Sequence, residues 1–227
     1  ITPSFSIDQT SLDKIIAKIR GVRKTNSKLG YLAHTFNYCE FILSERSGHY
    51  VITNGEIIDS FYKIREDVDK YYIASVILET LDSCTYGHEE ELLNVAIVYL
   101  KQLSECNNPL VVLNKYLLTL IDVLGYSLNF DECIMCGKTL EGETKLCLES
   151  GGIVCRSCKP KGITVIIKPI YFSDLKNVNK VSLDKVGQID IEKERAIEEM
   201  NLIIKYLYYQ MEVKLTSVLS LRDYFGH

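Results

Sequence analysis

Apolar residues recur along this 227-residue chain with two different periods, and the change falls near residue 64. Over residues 12–62 the pattern is one of short strands and turns. Ile15, Ala17 and Ile19 alternate with Ile16, Lys18 and Arg20, which predicts a strand with one apolar and one partly basic face. Gly21 ends or bulges that run, Thr25-Asn26-Ser27 makes a polar loop, and Gly30 interrupts again. Residues 31–44 are rich in aromatic and β-branched side chains. Ser47-Gly48 predicts a hairpin turn into residues 49–53, and Asn54-Gly55 predicts a further turn before residues 56–64. Strands this closely spaced suggest a small barrel. An OB-type barrel is the obvious candidate among nucleic-acid binders, and other five-stranded barrels fit the pattern alone.

Beyond residue 64 the period becomes helical. Val68, Tyr71, Tyr72, Ser75, Val76, Leu78 and Leu81 predict a helix over 65–84. Leu92, Leu93, Ala96, Ile97, Leu100 and Leu103 predict another over 89–105. Pro109 suits the first turn of a third, which Gly125 ends. Residues 165–169 read as a short extended piece. A long helix over 191–213 follows, with Ile197, Met200, Ile203, Ile204, Leu207 and Met211 on its apolar stripe.

Two Cys-x-x-Cys pairs interrupt the helical half: Cys133 with Cys136, and Cys155 with Cys158. Four thiolates can surround one Zn²⁺ tetrahedrally, and two knuckles joined by a linker of this length have the spacing of a four-cysteine site. Four sulfurs leave no position for water or substrate, so the predicted ion is structural, one per chain. Lys138, Lys145, Arg156, Lys159 and Lys161 lie near in sequence and can offset the surplus negative charge. Cys147, Cys39, Cys84 and Cys106 read as small buried apolar side chains. A catalytic zinc built from His88-Glu89-Glu90 and the first knuckle would leave the second pair without a task, and no proline precedes Cys133. No P-loop signature is present, so ATP hydrolysis is not expected, and the chain is read as a non-enzyme.

Composition adds limits. Apolar content of 47% and charged content of 25% are globular values. Eight cysteines, half of them in metal spacing, favour a reducing, cytoplasmic setting. No apolar run reaches membrane-spanning length. The start at Ile1 rather than Met leaves room for a preceding piece. The net charge of −4 speaks against a generic polyanion binder, but its distribution matters more. Lys14, Lys18, Arg20, Arg23, Lys24 and Lys28 follow one another with no acid among them between residues 14 and 28. Such a strand and turn can track phosphates without reading sequence. Tyr31, Phe36, Tyr38 and Phe41 offer stacking surfaces for unpaired bases. The plainer alternative is a solvated strand face with ordinary core aromatics.

Several segments, in order, resemble one family. They are Lys14-Ile15-Ile16-Ala17-Lys18-Ile19-Arg20-Gly21-Val22-Arg23-Lys24 with Ser27-Lys28, then Glu56 to Phe61 leading to Ile64-Arg65-Glu66-Asp67. Leu124-Gly125-Tyr126-Ser127-Leu128-Asn129-Phe130-Asp131-Glu132-Cys133, Ser150-Gly151-Gly152-Ile153-Val154-Cys155 and the closing Lys214-Leu215-Thr216-Ser217 with Leu221 complete the set. From about residue 12 onward the chain resembles the RecO family of bacterial recombination mediators, while Ile1 to Gln9 do not match its first strand well. The resemblance implies an α+β protein: an OB-fold-like barrel over residues 1–64, then a helical domain over 65–227 carrying the zinc segment 131–160. It implies binding of single- and double-stranded DNA, annealing of complementary strands, and action with RecR and RecF in loading RecA. It also implies contact with the acidic, apolar C-terminal tail of single-strand-binding protein, and a cytoplasmic, nucleoid-associated location. The competing expectation is a zinc-stabilised module that binds only protein partners.

Overall fold

A computed structural model of the chain describes residues 4–7, 14–21, 28–84 and 89–226. It is α+β, with a sheet region first and helices after it. Two compact units divide the chain, Ile1–Tyr71 and Tyr72–His227.

The first unit holds β1 (Ser4–Ile7), β2 (Lys14–Ile19), β3 (Tyr38–Arg46) and β4 (His49–Asp59), in the order β1-β2-β4-β3. β2 runs parallel to β4, and the other two pairings are antiparallel. β2 has the predicted two faces: Ala17 is buried, while Ile16 and Lys18 are exposed. The Ser47-Gly48 turn also forms as expected. Both residues have positive φ, 50° and 72°, which gives a two-residue hairpin loop the twist of its flanking strands.

Asn54-Gly55 is not a turn. Both residues lie inside β4. A Cβ on Gly55 would sit 2.8 Å from the Glu40 carbonyl oxygen and 3.1 Å from Leu32 Cδ1, so glycine is required there by close approach. β4 has 11 residues against 9 in β3. The two extra residues are absorbed at register shifts between Tyr38 and Cys39 and between Ile42 and Leu43. At the second shift Thr53 is the unpaired residue, and its hydroxyl donates to the Ile42 carbonyl at 3.0 Å. Such bulges bend and re-aim a strand. Burial along β4 inverts there: Ile52 is buried, whereas Asn54, Glu56 and Ile58 are exposed. Despite this bending the expected closed barrel is not seen among the described residues. β1 and β3 remain the two edges of an open four-stranded sheet.

Between β2 and β3 a 3-10 turn, Gly30–Ala33, lays Leu32 into the core. α1 (Tyr62–Arg65) follows the sheet, and Ile64 is fully buried. Arg65 fastens this region. Its Nη1 donates to the carbonyls of Thr35 and Ser60 and to Asn37 Oδ1, at 2.8, 2.9 and 2.9 Å. Phe36 and Phe61 adopt left-handed backbone at φ 67° and 42°, which costs on the order of 1–2 kcal/mol each for a non-glycine residue. Burial of both rings offsets that strain.

In the second unit come α2 (Val68–Ser83, beginning in the first unit), α3 (Glu89–Glu105) and α4 (Pro109–Val123). α4 is the central helix. Leu110, Val111, Val112, Leu113, Tyr116, Leu117, Leu118, Leu120 and Ile121 are all buried, so almost every face meets a neighbour. Pro109 occupies its first turn and Gly125, at φ 83°, follows its end, as the sequence predicts. A second sheet, β6-β5-β7, comprises β5 (Thr144–Cys147), β6 (Gly152–Cys155) and β7 (Thr164–Ile167). It is followed by α5 (Pro169–Lys180), α6 (Leu183–Val186), α7 (Lys193–Met211) and α8 (Thr216–Phe225). None of the described helices is long and apolar enough to cross a membrane.

Candidate metal centre and nucleic-acid interface

The four paired cysteines converge. Their Sγ atoms all lie within 4.8 Å of one another, and among the described residues no other group of three or more His, Cys, Asp or Glu does so. Cys133 Sγ is 3.8 Å from Cys158 Sγ, and Cys136 Sγ is 3.8 Å from Cys155 Sγ. Sulfurs placed tetrahedrally at metal–sulfur bonds of about 2.3 Å would be about 3.8 Å apart. The donor set therefore fits a metal ion held by four thiolates with no open position.

Local backbone chemistry builds each half. In the first knuckle the Gly137 N–H donates to the Cys133 carbonyl at 2.9 Å, and the Cys133 N–H to the Lys138 carbonyl at 2.8 Å. Gly137 supplies the positive φ of 68° that closes this turn. In the second knuckle the Cys158 N–H donates to the Cys155 carbonyl at 3.2 Å. β6 delivers Cys155, whose N–H donates to Cys133 Sγ at 3.3 Å. The two knuckles also touch away from the sulfurs. The Ile134 N–H donates to the Ile153 carbonyl at 3.2 Å, and a Cβ on Gly152 would lie 2.7 Å from Ile134 Cγ2.

Electrostatics favour thiolate at one corner and thiol at another. Burial resists ionisation of Cys133, but N–H donors from Cys155, Met135 and Cys136 outweigh it and bring the thiol down to about 6. Hydrogen bonds with Cys155 and Cys136 push Cys158 up to about 12. A bound metal would displace the proton of a raised thiol such as Cys158. Of the five expected counter-cations, Lys145 reaches inward: its Nζ donates to the carbonyls of Arg156 and Cys158, each at 3.0 Å. Arg156 instead turns to Glu143 at 3.8 Å. The approach to the site is pinned by an Asx turn, in which Asn129 Oδ1 accepts from the N–H groups of Asp131 and Glu132. Lys176 and Lys180 of α5 hold Asp131 Oδ1 at 3.1 and 2.7 Å. Nothing in the spacing of residues 131, 176 and 180 announces that contact.

Cys84, Cys106 and Cys147 are buried, as core residues would be, whereas Cys39, on β3, is only half-buried. His88, the alternative ligand considered from sequence, lies outside the described residues.

The six basic candidates are less uniformly visible. Lys18, Arg20 and Lys28 are exposed, and no ion pair among the described residues engages them. Lys14 pairs in β2 opposite Ile7, with its side chain outside the described residues. Arg23 and Lys24 also lie outside them. Across the same sheet, Glu40 and Glu56 are register partners and both exposed, so this end of the β3–β4 ribbon is acidic.

The aromatic candidates separate. Phe36 is core rather than a stacking platform: it is buried, and its ring meets Tyr71 edge-on at 5.1 Å. It lies in a loop and Tyr31 in the 3-10 turn, so neither is on a strand as expected. Tyr31 is 46% exposed, with its hydroxyl donating to the Gly55 carbonyl at 3.2 Å. Tyr38 and Phe41 are half-buried on β3.

Comparison with known proteins adds one consistent finding. A family model described as "Recombination protein O C terminal" matches residues 65–218. A "DNA repair protein RecO" from Clostridium perfringens (strain SM101 / Type A) is 30% identical over 187 residues, covering 81% of this chain and 82% of that protein. Proteins of the same name from Thermoanaerobacter sp. (strain X514) and Bacillus pumilus (strain SAFR-032) are 28% and 26% identical. These cover 91% and 86% of this chain, and 85% and 77% of their own lengths.

Proposed function

The chain belongs to the RecO family of DNA repair proteins, and from that premise we propose that it is a DNA-binding mediator whose N-terminal unit grips phosphates. Members of this family are repair mediators and not enzymes. In this reading Lys18, Arg20 and Lys28, with Lys14, Arg23 and Lys24, form a cationic edge at β2 and the segment after it. The observation that supports it is the exposure of Lys18, Arg20 and Lys28 without an ion-pair partner among the described residues. Annealing then needs no hydrolysis. A basic edge lowers the repulsion between two polyanions, and base pairing supplies the drive.

The cysteine tetrad would hold Zn²⁺ through Cys133, Cys136, Cys155 and Cys158. The ion supplies no reaction chemistry here. It braces a segment with little apolar mass of its own. The bent sheet is read as the larger part of an OB-type barrel. The partners proposed are single- and double-stranded DNA, RecR, RecF and the C-terminal tail of single-strand-binding protein, in the bacterial cytoplasm at the nucleoid.

The test is salt-dependent DNA binding together with annealing of strands pre-coated with single-strand-binding protein. Changing Lys18, Arg20 and Lys28 together to Gln should make the log–log salt slope shallower by about 2 on single strands. An unchanged slope overturns the assignment. A second reading, a module that binds only proteins, draws support from the exposed Glu40–Glu56 pair and the net charge of −4. It predicts partner binding with no measurable DNA affinity in the unaltered protein.

A further inference from the structure

Where α4, α5 and α7 pack together, four polar side chains meet inside the helical unit. Glu199 of α7 and Asn114 of α4 are both fully buried. Asp174 of α5 and Arg195, one turn before Glu199, keep only 20% and 29% of their side-chain surface. Asn114 donates through Nδ2 to Glu199 Oε2 at 3.3 Å and to the Ala196 carbonyl at 3.0 Å. Arg195 Nη1 lies 3.5 Å from Asp174 Oδ2, and its Nε 3.7 Å from Glu192 Oε2.

One pairing is incomplete. Glu199 Oε1 and Asp174 Oδ2 are buried, and neither accepts a hydrogen bond. Two ionised carboxylates would leave both oxygens without a donor and would repel each other in a poorly solvated site. A single proton removes both difficulties. Asp174 has the Arg195 cation beside it, so the shared proton sits on Glu199. Glu199 has only the neutral Asn114 on its other side. With Glu199 protonated, the cluster is neutral overall.

We propose that Glu199 carries a proton at neutral pH, donates it to Asp174, and thereby acts as a pH-sensitive latch between α7 and α5. The charged groups facing it are Asp174 from α5 and Arg195 from α7, while α4 contributes the uncharged Asn114. α5 extends the consequence. Its Phe172 packs against Phe130 at 6.1 Å, and its Lys176 and Lys180 hold Asp131, just before the first metal-site cysteine. Loss of the proton therefore loosens the helix that anchors the entrance to the cysteine segment.

The sign of the effect follows from the raised folded-state value. Burial first, and Asp174 second, raise the Glu199 carboxyl to about 8. The latch stabilises fully below the ordinary glutamate range and is lost as pH rises toward the folded value. The experiment compares thermal midpoints of the intact, metal-loaded protein and Glu199→Gln between pH 6 and 9. Gln keeps an uncharged donor for Asp174. The wild type should fall relative to the variant by about 5 °C across that interval, and a constant difference overturns the proposal. Should the variant not fold, carboxyl-carbon NMR of Glu199 in the wild type decides. A midpoint near 8 supports the latch, and one in the ordinary range of about 4.3 overturns it.

Discussion

In the N-terminal unit the buried apolar residues among those described are Ala17, Leu32, Phe36, Ile52, Phe61 and Ile64, spread thinly from β2 to α1. In the helical unit the single helix α4 buries more than that by itself. The first unit is held by devices that fix individual atoms: the threefold Arg65 fork, the Gly55 close approach and two bulges. The second is held by bulk apolar contact, and the cysteine tetrad is added where that contact runs out. The exposed apolar side chains of the first sheet, Ile16, Ile42 and Ile58, fit this division. A thin core leaves more sheet surface available for contact with other molecules.

Metal removal should break this comparison most severely. Structural zinc in small sites contributes about 10–16 kcal/mol of apparent binding free energy. Chelation, or Cys133→Ser with Cys136→Ser, should abolish metal binding and disorder the segment around the knuckles. Circular dichroism should retain the helical signal, because α4 and α7 are packed independently of the sulfurs. A wholesale loss of helix would mean that the ion supports the entire unit.

Next in size is Leu117→Ala at the centre of α4, where the side chain is fully buried. It should cost about 3 kcal/mol in denaturant unfolding. Gly55→Ala tests the thin-core unit. Its Cβ would meet backbone at 2.8 Å, which a side-chain shift cannot relieve, so a cost of about 2 kcal/mol is expected. A neutral result there would show that the β3–β4 ribbon yields easily.

The smallest effect belongs to Glu79. α8 has no side-chain cap of its own. Glu79 of α2 supplies one from a distance: its carboxylate accepts from the Thr216 N–H at 2.9 Å, the Ser217 N–H at 2.7 Å and both hydroxyls. Partial burial raises this carboxyl, but the donors from Ser217 and Thr216 outweigh it and hold it below the usual glutamate range. Glu79→Gln should cost about 1 kcal/mol at pH 7. That cost should shrink as the pH falls through the folded carboxyl's value, where the wild type loses its charge too. Paired acid-unfolding curves check it.

The same contrast decides what was legible in the sequence. Strong periodicity located α3 and α7, because each buries a face whose spacing is written locally, whereas α4, buried almost all round, was marked by Pro109 and Gly125 at its ends. α2 was located without its face: Val68 and Tyr71 of the expected stripe are exposed, and Ile73, Ala74 and Ile77 are buried instead. The cysteine site was legible because two local pairs of the same Cys-x-x-Cys spacing make it. Ser47-Gly48 and Asn54-Gly55 look alike as dipeptides, yet only the first is a turn. What distinguishes the second is crowding from Leu32 and Glu40, which no local pattern records. α8 was not foreseen for the same kind of reason, since its cap comes from Glu79. α5 was missed because its stripe is brief, only Phe172, Leu175 and Val178. The Asp174–Glu199 contact likewise joins two helices whose separate patterns say nothing of each other.

The unequal lengths of β3 and β4 have a consequence for how this region can change. Each surplus residue on β4 is matched to a specific place where its neighbour has none. Deleting Thr53 alone would leave a regular ladder, with Leu43 opposite Ile52 and Ile42 opposite Asn54. Asn54, Glu56 and Ile58 would keep their exposed face, because alternation from Ile52 already puts them there. Deleting a paired residue of β4 would instead slide the side chains that follow it to the opposite face. Length changes in this ribbon should accordingly be tolerated at the bulged positions and not between them.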